Sequence, residues 1–134
     1  MAIRRWQVAA ALAVAGLSLG QLPANAAPAY ATDHFKLCID GWDCRTVYLE
    51  GWIYWGNRTA RMTVDHQGAT MTGHFDAFAG SRKIDSRVTI ADTDYFSIGD
   101  PNLVGGINRI RSQACITGDG GAFKCSDQWN DIRD

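Results

Sequence analysis

Val47-Tyr48-Leu49-Glu50-Gly51-Trp52-Ile53-Tyr54-Trp55-Gly56-Asn57-Arg58-Thr59-Ala60-Arg61-Met62-Thr63-Val64-Asp65-His66 decides the fold class, because two alternating patterns of matching phase flank one turn signal. Val47, Leu49, Gly51, Ile53 and Trp55 share one side of an extended chain, and Tyr48, Glu50, Trp52 and Tyr54 share the other. Gly56-Asn57 suits a type II′ hairpin turn, with glycine at the first central position. With Trp55 opposite Arg58, the apolar side pairs Ile53 with Ala60, Gly51 with Met62 and Leu49 with Val64, while Trp52 meets Arg61 on the polar side. A one-residue slip would turn the polar residues of the second strand into the core.

Gln67-Gly68 offers a weaker second turn. It sets His66 opposite Ala69 and brings Met71 to Val64, Gly73 to Met62 and Phe75 to Ala60, so the expectation is a three-stranded meander from Val47 to Phe78. Its outward face carries a row of Trp52, Arg61 and His74, flanked by Glu50 and Tyr54.

Outward from this centre, His34 to Ile39 reads as the first strand, and Ile84 to Ile90 alternates as a fourth strand of the meander series. Tyr95 to Ile98 is a shorter one. Asp100-Pro101-Asn102 is a loop, because proline fixes φ and asparagine supports turns. Ile110, Ser112, Ala114 and Ile116 then share a face, whereas Ile107 falls on the other, which predicts a bulge or edge near Asn108. Good helix formers are scarce: Glu50 is the only glutamate, and Lys36, Lys83 and Lys124 are the only lysines. The expected fold is all-β, a small antiparallel sandwich or partly open barrel of about seven strands in one domain over 32–134.

The first 31 residues read as a secretory signal peptide. Arg4 and Arg5 form the basic start, Val8 to Leu19 the apolar run, and Ala24-Asn25-Ala26 or Ala29-Tyr30-Ala31 the cleavage site, after Ala26 or Ala31. The run is too short to span a bilayer, which needs roughly 20 apolar residues. Arg4-Arg5 also fits twin-arginine export, but the residues after the pair favour the general secretory route. The style of the signal is bacterial, and the expected product is released to the extracellular space with no membrane contact after cleavage.

Removing Arg4 and Arg5 leaves 11 basic residues against 14 acidic ones, a net charge of −3. Such a composition lacks the basic excess that binds nucleic acid by counterion release, so no nucleic-acid partner is expected. Cys38, Cys44, Cys115 and Cys125 read as two disulfides in an oxidising compartment. Their spacing favours Cys38–Cys44 and Cys115–Cys125, with two other connectivities open, over a zinc site whose common spacings they do not match.

No cofactor or metal is expected. His66 and His74 fall on opposite faces in the expected register, and Asp92, Asp94 and Asp100 do not follow a calcium-loop pattern. The leading functional expectation is a binding domain whose contact face is Tyr48, Trp52, Tyr54 and Arg61, for an extracellular glycan or protein. An enzyme inhibitor acting through Asp100-Pro101-Asn102 or the Cys115 to Cys125 loop is the alternative binder. The catalytic alternative uses Glu50 as general base, His74 as general acid and Arg61 on an anion. That layout is similar to small secreted microbial ribonucleases, which place glutamate, arginine and histidine on a sheet face; the resemblance implies phosphodiester hydrolysis. Those enzymes also pack an α-helix on the sheet, and no long amphipathic helix is visible in this sequence.

Overall fold

A computed structural model describes residues 30–117, 121 and 123–134, so the expected signal peptide up to residue 29 lies outside the described residues. Nine strands are described: β1 (Thr32–Cys38), β2 (Tyr48–Trp55), β3 (Thr59–Gln67), β4 (Thr72–Ala79), β5 (Arg82–Thr89), β6 (Thr93–Gly99), β7 (Arg109–Thr117), β8 (Phe123–Cys125) and β9 (Trp129–Ile132). Seven match the expected strands. The two short C-terminal ones carry too few residues for an alternation to show.

The strands form two antiparallel sheets. The first runs β1-β2-β3-β6; the second runs β5-β4-β7, with β8 and β9 paired end to end along the remaining edge of β7. The alternation of β2 fixes which side is buried: Leu49, Gly51, Ile53 and Trp55 turn inward, while Trp52 and Tyr54 are exposed. Phe35 and Leu37 from β1, Met62 and Val64 from β3 and Ile98 from β6 join them. Phe75 and Ala77 from β4 with Ile110, Ala114 and Ile116 from β7 supply the opposing layer. Phe75 is wholly buried between the sheets, its ring centroid 5.8 Å from Phe35 and 5.6 Å from Phe96. Each such large side chain contributes about 1.5–3 kcal/mol through removal from water.

Two register expectations are corrected. β2 and β3 pair with Trp55 opposite Ala60 and Ile53 opposite Met62, a shift of two residues that keeps every side chain on its expected face. Gly56 is not among the glycines with positive φ, so no type II′ turn forms. Instead the loop carbonyls are held by distant groups: Arg133 donates to Gly56 and Asn57, and the Ile107 N–H donates to Arg58.

The second correction is larger. β3 does not form a hairpin with β4, because β6 occupies its other edge, from Thr59 opposite Gly99 to Asp65 opposite Thr93. After Gln67 the chain passes to the second sheet, where β4 lies between β5 and β7. Gly68 marks the departure: its φ is +83°, and a side chain there would meet the Thr46 carbonyl. Of the bulge or edge expected near Asn108, no bulge falls there: β7 begins at Arg109, and a register shift lies between β4 and β5, where the pairing skips Ile84. Asn108 acts as a connector, donating its N–H to Phe78 at 2.9 Å and accepting the Gly80 N–H at 3.1 Å.

Both disulfides take the local pairing, Cys38–Cys44 and Cys115–Cys125. The first closes the loop from β1 toward β2. The second joins residues directly opposite each other in β7 and β8. No helix among the described residues is long and apolar enough to cross a membrane.

Candidate functional site: the outer face of the first sheet

The antiparallel register of the first sheet sets its outer residues in three rows. Tyr54 stands beside Thr32 and Arg61, with Ser97 beyond; Trp52 stands between His34 and Thr63, with Tyr95 beyond; Glu50 stands between Lys36 and Asp65, with Thr93 beyond. Trp52, Tyr54 and Tyr95 are 45%, 38% and 59% exposed, and among the described residues no layer covers them. Neighbours on a strand two apart stand about 7 Å apart, and strands about 4.8 Å, so the three rings spread over roughly 10 Å of one surface.

Nitrogen-bearing side chains are distributed among the rings. His34 lies 4.7 Å from Trp52, Lys36 Nζ is 4.0 Å from the Tyr48 ring and Arg61 is 6.0 Å from Tyr54. Arg61 also donates to the Tyr95 hydroxyl at 3.3 Å, and His34 Nε2 is 3.2 Å from Glu50 Oε2. These contacts hold the side chains in place while Trp52, Tyr54 and Tyr95 remain exposed to solvent.

All four residues of the expected contact face, Tyr48, Trp52, Tyr54 and Arg61, therefore share the outer side of the first sheet. The expected partnership of Arg61 with Trp52 is replaced by Arg61 with Tyr54, a direct result of the two-residue register shift. His34, Lys36 and Tyr95 were missed. The alternation of β1 and β6 was legible, but which strands flank β2 and β3 was not, and flanking is what brings these three residues in.

The catalytic alternative does not assemble. Glu50 and Arg61 stand on the first sheet, whereas His74 stands on β4 opposite Val88 and Gln113, on the outer side of the second sheet. His66 turns inward; its Nε2 is 3.3 Å from Thr89 Oγ1, and burial pushes its pKa below the ordinary value. All four cysteines are in disulfides, so none supplies a thiolate. No group of three His, Cys, Asp or Glu side chains among the described residues is arranged to hold a metal ion.

Two further features adjoin this face. Along the free edge of β1, a cavity of about 180 Å³ is lined by Lys36, Leu37, Cys38, Ser126, Asp127 and Trp129. At the other end of β1, Trp55 donates its indole N–H to Asp33 at 2.6 Å, near Asp131. The expected inhibitor loop is compact and braced: Leu103 and Asn102 donate to Asp100, Arg58 donates to Pro101, and Arg133 donates to Gly105. Val104 at its tip is 86% exposed.

Fold and surface together define a disulfide-braced two-sheet domain with one open aromatic face. No protein-family model, curated protein or solved structure matches the chain.

Proposed function

We propose that this is a secreted bacterial binding domain that takes a glycan on the outer face of its first sheet. The observation that carries the reading is the exposure of Trp52, Tyr54 and Tyr95 on the same outer sheet face. Sugar rings present apolar faces that stack on aromatic rings and hydroxyls that need hydrogen-bonding neighbours. Glu50, Thr63, Asp65 and Arg61 lie within the same rows and supply those neighbours. The two disulfides fit an oxidising compartment, in keeping with export.

Affinity electrophoresis through gels containing soluble polysaccharides tests the proposal. Retardation by at least one polysaccharide that disappears in Trp52→Ala, with the thermal midpoint retained, is the expected result. A mobility unchanged by every polysaccharide, or retardation indifferent to Trp52, would overturn it.

The exposed Val104 on its braced loop favours a second reading, in which that loop inserts an apolar anchor into a partner enzyme. Inhibition of a secreted hydrolase that Val104→Asp removes and Trp52→Ala does not would select it.

A further inference from the structure

The processed chain is acidic overall, yet its charge is not evenly spread. Strands β4, β5 and β7 carry Arg82, Lys83, Arg87, Arg109 and Arg111 against only Asp76 and Asp85. Three of these cations gather on the outer face of the second sheet. The Arg109 guanidinium carbon is 4.0 Å from the centre of the Phe78 ring and that of Arg111 5.0 Å; Arg111 donates to Asp76 at 2.8 Å, and Lys83 Nζ is 3.5 Å from the same carboxylate. Among the described residues Arg109 hydrogen-bonds one side chain, Asn130, at 2.8 Å, and a guanidinium carries five N–H donors.

The same face exposes aliphatic side chains at its corners. Val88, opposite His74, is 61% exposed, and Ile132, opposite Arg109, is 62% exposed. Ile90, just past the end of β5, is 69% exposed and continues the alternation of Val88. Strand and residue spacings put the Val88 and Ile132 corners roughly 20 Å apart, with the cations between them.

We propose that this outer face docks on an anionic lipid surface, with Lys83, Arg109 and Arg111 against the headgroup phosphates and Val88, Ile90 and Ile132 entering the interfacial layer. A flat face with cations and aliphatic tips fits a plane that is charged outside and apolar just beneath. A second copy packed face to face would set like charges against one another. A nucleic acid would find few cations, and Phe123 at the β8 corner is an isolated exposed ring with no second one beside it for successive bases. The proposal departs from the expectation, drawn from composition, of no membrane contact after processing. It concerns the side of the molecule opposite the aromatic face and does not depend on glycan binding.

The test is sedimentation of the exported protein, its amino terminus sequenced so that the apolar segment 8–19 contributes nothing, with phosphatidylglycerol-containing and pure phosphatidylcholine vesicles. Binding to the anionic vesicles only is expected, with about a fivefold loss in Lys83→Gln, an exposed site whose substitution spares the core. Val88→Thr combined with Ile90→Thr keeps β-branched residues on the strand and should also weaken binding, whereas Trp52→Ala should leave it unchanged. The proposal is overturned by absence of binding to anionic vesicles, by binding indifferent to Lys83, or by loss in Trp52→Ala. Binding that ignores the Val88 and Ile90 changes overturns it too, since cations alone would serve an acidic protein equally well.

Discussion

The indole N–H of Trp129 donates to Oδ1 of Asp131 at 3.1 Å, while Oδ2 of the same carboxylate is buried with no hydrogen-bond partner among the described residues. Burial raises the Asp131 pKa above the ordinary carboxylate range, and the nearby charge of Asp33 adds to the rise; the Trp129 hydrogen bond and His34 oppose it without cancelling it. A carboxyl with a raised folded-state pKa stabilises the fold at acid pH and progressively less as pH climbs through that pKa. Asp131→Asn is therefore expected to raise the thermal midpoint at pH 7, with the difference vanishing below about pH 4. Scanning fluorimetry of the two proteins across that range checks it; an equal difference at both ends would contradict the assignment.

Asp76 behaves in the opposite sense. Burial favours its neutral form, but hydrogen bonds from Ser86 and Arg111 and the charges of Lys83 and Arg111 outweigh that and hold its pKa below the usual range. Its stabilising contribution is present above about pH 4 and is lost on further acidification. Asp76→Asn should lower stability at pH 7 and converge with the parent protein under strongly acid conditions, as read by urea titration at each pH.

Gly51 sits inward on β2 opposite Phe35 and Val64, where an added Cβ would meet the Thr63 carbonyl and approach the Phe35 ring at 2.8 Å. The Thr63 atoms are backbone and cannot swing aside. Gly51→Ala is expected to destabilise by about 1–3 kcal/mol, the usual range for overpacking a filled core. Equilibrium denaturation gives the number, and a change within about 0.5 kcal/mol, typical of surface sites, would refute the crowding.

Removing the Cys115–Cys125 crosslink by Cys115→Ala with Cys125→Ala should cost about 2–3 kcal/mol, from the freedom regained by a loop of this length in the unfolded chain. Denaturant midpoints of oxidised parent and double variant measure it. Breaking this bond frees β8 from β7, so its loss should also raise hydrogen exchange at Phe123 and Lys124.

Tyr95 lies beyond Thr63 in the same row as Trp52, on edge strand β6, and is more exposed than Trp52. If the glycan spans the row, Tyr95→Ala should weaken polysaccharide binding by about tenfold, a loss of about 1.4 kcal/mol. Thermal stability should stay within about 0.5 kcal/mol of the parent. Isothermal titration with the polysaccharide that retards the parent protein reads both sites on one scale.

The strand set and the buried face of each central strand were legible because period-two alternation ties side-chain direction to sequence alone. Strand partners were not. Phe75 and Ala77 on β4 have the phase that a hairpin with β3 requires, but strands packed face to face across a core need the same phase, so the pattern fits both arrangements. The pairing of β6 with β3 depends on contacts between residues 28 to 40 positions apart, and no local signal encodes it. The Gly56-Asn57 turn failed for a similar reason: Arg133, close to the end of the chain, holds the loop carbonyls. For the candidate site, Tyr48, Trp52, Tyr54 and Arg61 followed from one strand pair, whereas His34 and Tyr95 depend on the flanking strands, which only the fold supplies.

The passage of the chain after Gln67 bears on how the molecule comes together. The first sheet takes its strands from both sides of β4 and β5, and the second cannot be finished until β7 to β9 have emerged. The first sheet is complete only once β6 has followed β4 and β5, and the second only once β9 is in place. Folding must therefore wait for partners distant in sequence, the circumstance that makes sheet proteins slow to fold, and it should proceed as one cooperative event. A cut between β3 and β4 would strip β6 from the first sheet and part the two layers that share one core, so the aromatic surface and the basic one depend on each other.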